Sequence, residues 1–104
     1  MKFAVGFIGA GNMGGALIDA VSRTTDPKNI AIYDKDESKA KQKADSVGAA
    51  ACDIKTVAAQ SDFVFLGVKP NIISIVAKEI KDLISGSLEA LVQIARRSLA
   101  LAVP

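Results

Sequence analysis

The chain has 104 residues, half of them hydrophobic and few aromatic, with a net charge of +2. That is room for one domain around an aliphatic core, and the small charge, with acids and bases mixed along the chain, gives no case for nucleic acid as a partner. The absence of histidine removes the commonest general base and zinc ligand, and the single cysteine, Cys52, read as a small partly buried residue, excludes an internal disulfide or a multi-cysteine metal site.

Residues 2–8 are near-continuously apolar, as a buried parallel strand is. They run straight into a glycine turn without a cleavage site, so they do not read as a leader. No stretch reaches the roughly 18 to 20 apolar residues of a membrane span, and the expected location is cytoplasmic. The turn is Gly9-Ala10-Gly11-Asn12-Met13-Gly14, with the G-x-G-x-x-G spacing of a dinucleotide-binding turn. Gly9 permits the tight turn, Gly11 lets a pyrophosphate approach the backbone, and Gly14 lets the next helix pack close to the sheet. That helix starts near Asn12 and aims free N–H groups and its positive dipole end at the phosphates. Met13, Ala16, Leu17, Ala20 and Val21 form its apolar stripe.

Asp26-Pro27 breaks the first helix. Residues 29–33 read as a second strand and 36–47 as a polar helix with Ala40, Ala44 and Val47 inward, ended by Gly48. Residues 49–52 are a weak third strand. Asp53 caps a short helix through Gln60. Residues 62–68 are a fourth buried strand, and Pro70 opens a helix whose apolar face is Ile72, Val76, Ile80 and Leu83. Alternating strands and helices predict an α/β, Rossmann-like doubly wound parallel sheet in a single domain. Its ligand crevice lies at the carboxyl ends of the strands. Three separate pieces of sequence, Gly9 to Gly14, Asp34-Lys35 and Val68 to Pro70, meet there.

Asp34 follows Gly14 at about the 20-residue interval of a ribose-binding acid. It accepts both adenosine ribose hydroxyls, favouring NAD(H), or it caps the following helix with Glu37 as capping-box partner. Lys35 pairs with a 2′-phosphate, favouring NADP(H), or is simply solvated. Lys69 is either a positioning residue or a surface lysine, since a pKa near 10.4 suits a catalytic acid poorly. No catalytic residue and no metal ligand is assigned.

Phe7-Ile8-Gly9-Ala10-Gly11-Asn12-Met13-Gly14 followed by Phe65-Leu66-Gly67-Val68-Lys69-Pro70-Asn71 resembles the N-terminal domain of the pyrroline-5-carboxylate reductases, over roughly residues 1 to 85. The resemblance implies hydride transfer from NADPH or NADH to the C=N bond of 1-pyrroline-5-carboxylate, a small imino acid, in proline biosynthesis. It implies that Ala10 to Met13 hold the pyrophosphate and that Val68, Lys69 and Pro70 line the nicotinamide-ribose end.

Beyond about Ser85 the chain departs from the family pattern. Where the family has a fifth strand of the type V-S-I-A-A-G, this chain has Leu91-Val92-Gln93-Ile94-Ala95-Arg96-Arg97. The division expected is a dinucleotide-binding domain over 1–86 and a divergent tail over 87–104, left by a frameshift or truncation. The tail reads as strand, or as helix with Leu88, Leu91, Val92, Ala95, Leu99 and Ala102 on one face. The family's helical second domain, which makes its homo-oligomer and most of the imino-acid pocket, is expected to be absent, leaving the isolated chain weakly active or inactive. Two other readings stay open: a related imine or hydroxy-acid reductase, and a non-catalytic NAD(P)-sensing module.

Overall fold

A computed structural model describes residues 2–68, 74–75, 78–79 and 98–102. In chain order these give β1 (Phe3–Ile8), α1 (Asn12–Ser22), a 3-10 turn (Pro27–Asn29), β2 (Ile30–Tyr33), α2 (Glu37–Val47), β3 (Ala50–Ala51), α3 (Ile54–Gln60), β4 (Ser61–Val68) and β5 (Ser98–Ala102). The strands make one sheet in the order β3-β2-β1-β4-β5, and every neighbouring pair is parallel. The chain therefore winds outward from β1 in both directions, and β1 and β4 flank the point where the order reverses.

Side-chain alternation along the strands feeds two cores. On one face Phe7, Ile30 and Ile32 pack with Ile18 of α1 and Ala40 and Ala44 of α2. On the other, Ile8, Ala31 and Val64 pack with Ile54, Val57 and Ala58 of α3. A sheet covered on both faces explains why β1 and β4 read as continuous apolar runs. Gly6 sits where α3 presses on β1: a Cβ there would strike the Ser61 hydroxyl and lie 2.7 Å from Val57 Cγ1.

Local chemistry sets the element ends. Asp26 accepts from the Lys28 N–H at 3.1 Å and starts the 3-10 turn, so β2 begins at Ile30, one residue later than the sequence pattern places it. Asp36 caps α2 by accepting from the Ser38 and Lys39 N–H groups at 3.1 and 3.3 Å. Gly48 ends α2 at φ +82°, where a side chain is disfavoured. Asp53 caps α3 by accepting from the Thr56 N–H at 2.7 Å. β3 keeps only two residues, and β4 follows α3 directly, from Ser61.

In the helix expected after β4, residues 74–75 and 78–79 are helical, while Pro70, Ile72, Val76, Ile80 and Leu83 lie outside the described residues. In the tail, residues 98–102 are extended and pair with β4 from Val64↔Ser98 to Val68↔Ala102. Leu99 and Ala102 therefore belong to a strand and not to a helix face: the S-L-A-L-A segment continues the ladder along β4, which would otherwise present an edge there. Leu91 to Arg97 lie outside the described residues.

Candidate dinucleotide site

The glycine turn leaves β1 as a crossing of three backbones. Gly9 has φ +109°, and a Cβ on it would run into the carbonyl oxygen of Gly67, near the end of β4. A Cβ on Gly14, in the first turn of α1, would run into the carbonyl oxygen of Gly9. Gly67 completes the junction, since its own Cβ would lie 3.6 Å from Gly14 Cα and 3.7 Å from the Gly9 carbonyl oxygen. Glycine is thus required at two of the three motif positions by packing inside the chain.

Gly11 is different. Its φ of −71° suits any residue, and a Cβ placed on it meets nothing within 4 Å. It is the N-cap of α1, which has no side-chain cap and no acid in its first turn. The N–H groups and positive dipole end of α1 are therefore left for an anion. Beside Gly11 a cleft of about 370 Å³ runs between α1 and α2, lined by Ala10, Gly11, Gly15, Ala16, Asp19, Lys39 and Lys43. Lys43 pairs with Asp19 at 2.7 Å across it, its stem lying 3.6 Å from the position a Gly15 Cβ would take. The open side of Gly11 and the uncapped helix suit a pyrophosphate approaching the backbone.

Asp34 follows the last residue of β2 and turns inward. Its Oδ2 accepts from the Ala10 N–H at 2.8 Å and its Oδ1 from the Asp36 N–H at 2.9 Å. The helix cap suggested for Asp34 belongs to Asp36, two residues on, and Glu37 is the first helical residue and no capping-box partner. Lys35 is exposed between the two acids. Asn12 and Met13 open α1, Val68 ends β4 beside the turn, and Lys69 and Pro70 lie outside the described residues.

Gly67, Asp19, Lys39 and Lys43 are the parts of the corner not picked out from the sequence. Gly67 had a signal, since a glycine inside a strand often marks a close backbone approach. From the sequence Lys39 and Lys43, four apart on one helix face, read as part of a solvated lysine face with Lys35 and Lys41. Elsewhere, burial pushes the Cys52 thiol and the Tyr33 phenol above their ordinary pKa values; Asp53 adds to the first against Lys2, and Glu79, Asp34 and Glu37 add to the second. A thiol held protonated makes a poor nucleophile. Among the described residues no group of histidine, cysteine, aspartate and glutamate side chains could hold a metal, and no helix is long and apolar enough to cross a membrane.

A parallel sheet wound outward from β1, with a glycine crossing at its switch point and an uncapped helix aimed into the crevice, defines a dinucleotide-binding domain of the Rossmann class. The chain belongs to the family described as NADP oxidoreductase, coenzyme F420-dependent, whose profile matches residues 4–94. It is 36% identical over 82 residues to a pyrroline-5-carboxylate reductase of Aquifex aeolicus (strain VF5), an alignment covering 79% of this chain and 31% of that protein. The solved pyrroline-5-carboxylate reductase of Coxiella burnetii superposes with a TM-score of 0.76 at 26% identity, over 99% of this chain and 36% of that one. A putative myo-inositol dehydrogenase from Sinorhizobium meliloti 1021, at TM-score 0.64 and 17% identity, shares the fold alone. The chain spans about a third of the length of the reductases it matches. The family and these reductases are oxidoreductases, and the cofactor of such a domain is a nicotinamide dinucleotide.

Proposed function

We propose that the chain is the cofactor-binding part of a pyrroline-5-carboxylate reductase, taking NADP(H) or NAD(H) at the glycine corner and serving reduction of the C=N bond of a small cyclic imino acid. The observation that carries the reading is the open side of Gly11 beside an uncapped α1, in a chain 36% identical to such a reductase. The bound cofactor supplies the hydride. The chain's own part is to bind and orient it. Gly9 and Gly14 hold the turn in shape. Gly11, Asn12 and Met13 present backbone to the pyrophosphate, with Ala10 fixing the turn's entry. Asp34 and Lys35 stand at the adenosine end, and Val68, Lys69 and Pro70 at the nicotinamide-ribose end. The substrate pocket and the homo-oligomer of the complete enzyme are assigned to a separate helical region. The same reading places the protein in the cytoplasm, where a lone cysteine stays reduced.

The test is a hybrid in which this chain replaces the matching third of a pyrroline-5-carboxylate reductase. Oxidation of NADPH or NADH that depends on added 1-pyrroline-5-carboxylate is expected from the hybrid and little from the chain by itself. A folded hybrid that binds the dinucleotide but reduces only a different imine or a keto acid would overturn the substrate assignment.

A further inference from the structure

We infer that Asp34 is a positioning residue that braces the glycine turn against the start of α2, and that it does not read the adenosine ribose. The second half of this rests on the cofactor reading above; the first half does not. The placement of Asp34 after β2, about 20 residues past the turn, is that of a ribose acceptor. The hydrogen bonds are those of a brace. Each carboxylate oxygen accepts one backbone N–H, from Ala10 at 2.8 Å and from Asp36 at 2.9 Å.

The first bond spans twenty-four residues and lands inside the motif. Ala10 is 7% exposed, so its N–H has no ready replacement in solvent if Asp34 turns away. Directly before it, the Gly9 N–H donates to the Tyr33 carbonyl oxygen at 2.8 Å. Two successive turn amides are therefore held by two successive residues at the end of β2. The second bond fixes the backbone of Asp36, whose own carboxylate caps α2. Asp34 thus sets both walls of the cleft, the turn through Ala10 and α2 through Asp36. With one lone pair of each oxygen committed to backbone, the orientation of the carboxylate is set by the turn and by α2, and a ribose would have to be accepted in the directions those bonds leave. A brace supports any dinucleotide equally, whereas a ribose reader supports NADH over NADPH.

The experiment has two readouts on the full chain: hydrogen exchange of the Ala10 amide without ligand, and titration with NADH and with NADPH. In the wild type the Ala10 amide is protected. In Asp34→Ala its exchange speeds up about tenfold or more, the loss expected of a hydrogen bond to a charged acceptor. The Kd values for NADH and NADPH rise together, their ratio holding within about twofold. Asp34→Asn, which keeps one acceptor, falls between. Asp34→Glu keeps the charge a ribose reader needs but overreaches the Ala10 N–H, so it weakens both dinucleotides as well, and it serves with Asp34→Asn if the alanine variant does not fold. Unchanged Ala10 exchange in these variants overturns the brace. Loss of NADH affinity with NADPH unchanged or tighter, or full NADH affinity in Asp34→Glu, overturns it too. If the wild type binds neither dinucleotide, the cofactor reading fails, and the brace stands or falls on Ala10 exchange alone.

Discussion

The three glycines of one motif answer to different forces, and substitutions separate them. Gly14 abuts the Gly9 carbonyl oxygen, so Gly14→Ala forces α1 away from the turn and costs about 1–3 kcal/mol of stability, read as a lower Tm. Gly11 touches nothing on its open side, and its backbone suits an aspartate at a helix N-cap. Gly11→Asp therefore holds or raises Tm, while its charge repels the pyrophosphate and weakens dinucleotide binding by more than about tenfold. A Tm loss in Gly11→Asp as large as that in Gly14→Ala would show that both are packing glycines. The motif spacing already separates ligand approach at Gly11 from packing at Gly14; what it does not show is that the packing contact of Gly14 is with the Gly9 carbonyl, a partner inside the turn itself. The Asp34-Lys35-Asp36-Glu37 run was ambiguous. Which acid caps α2 and which reaches back to Ala10 depends on the turn between them, and both patterns fit the same letters.

At the scale of elements, caps and close approaches decide where each piece begins. The Asp53 carboxyl is held below its ordinary pKa of about 3.8, chiefly by hydrogen bonding to the Thr56 side chain and then to the Thr56 N–H. A lowered folded-state pKa means the stabilisation is present above the ordinary value and is lost as pH falls through the lowered one. Asp53→Ala is expected to cost about 1 kcal/mol at neutral pH. It should also narrow the gap to the wild type as the solution is acidified below the ordinary carboxylate range, followed by thermal melts across pH. A gap that stays constant into strong acid would contradict the cap. Gly6 tests the opposite face of the sheet. Gly6→Ala drives a methyl into Ser61 and Val57 and costs about 1–3 kcal/mol, without touching the cofactor corner. If its Tm matches the wild type, α3 does not press on β1 as described. Most of these elements were legible because period and punctuation agreed: Pro27 after Asp26, Gly48 after α2, Asp53 before α3. The tail was not. S-L-A-L-A is short and built of residues common in both helix and strand, and its pairing with β4 is a long-range contact that no local pattern encodes.

At the scale of the molecule, a sheet ordered β3-β2-β1-β4-β5 brings the ends of β1, β2 and β4 to one crevice. The convergence of Gly9 to Gly14, Asp34 and Val68 could be foreseen from alternation alone. The cleft between α1 and α2, bridged by Lys43 and Asp19, could not, because it depends on how closely two helices lie side by side. On this reading the chain, about a third the length of the reductases it matches, carries a working dinucleotide site. The direct measurement is a fluorescence titration of the chain with NADPH and with NADH, with Gly11→Asp as the paired control. Saturable binding of at least one dinucleotide, lost in the folded Gly11→Asp variant, is the expected result. No binding of either at millimolar concentration, or binding that Gly11→Asp leaves intact, would contradict it.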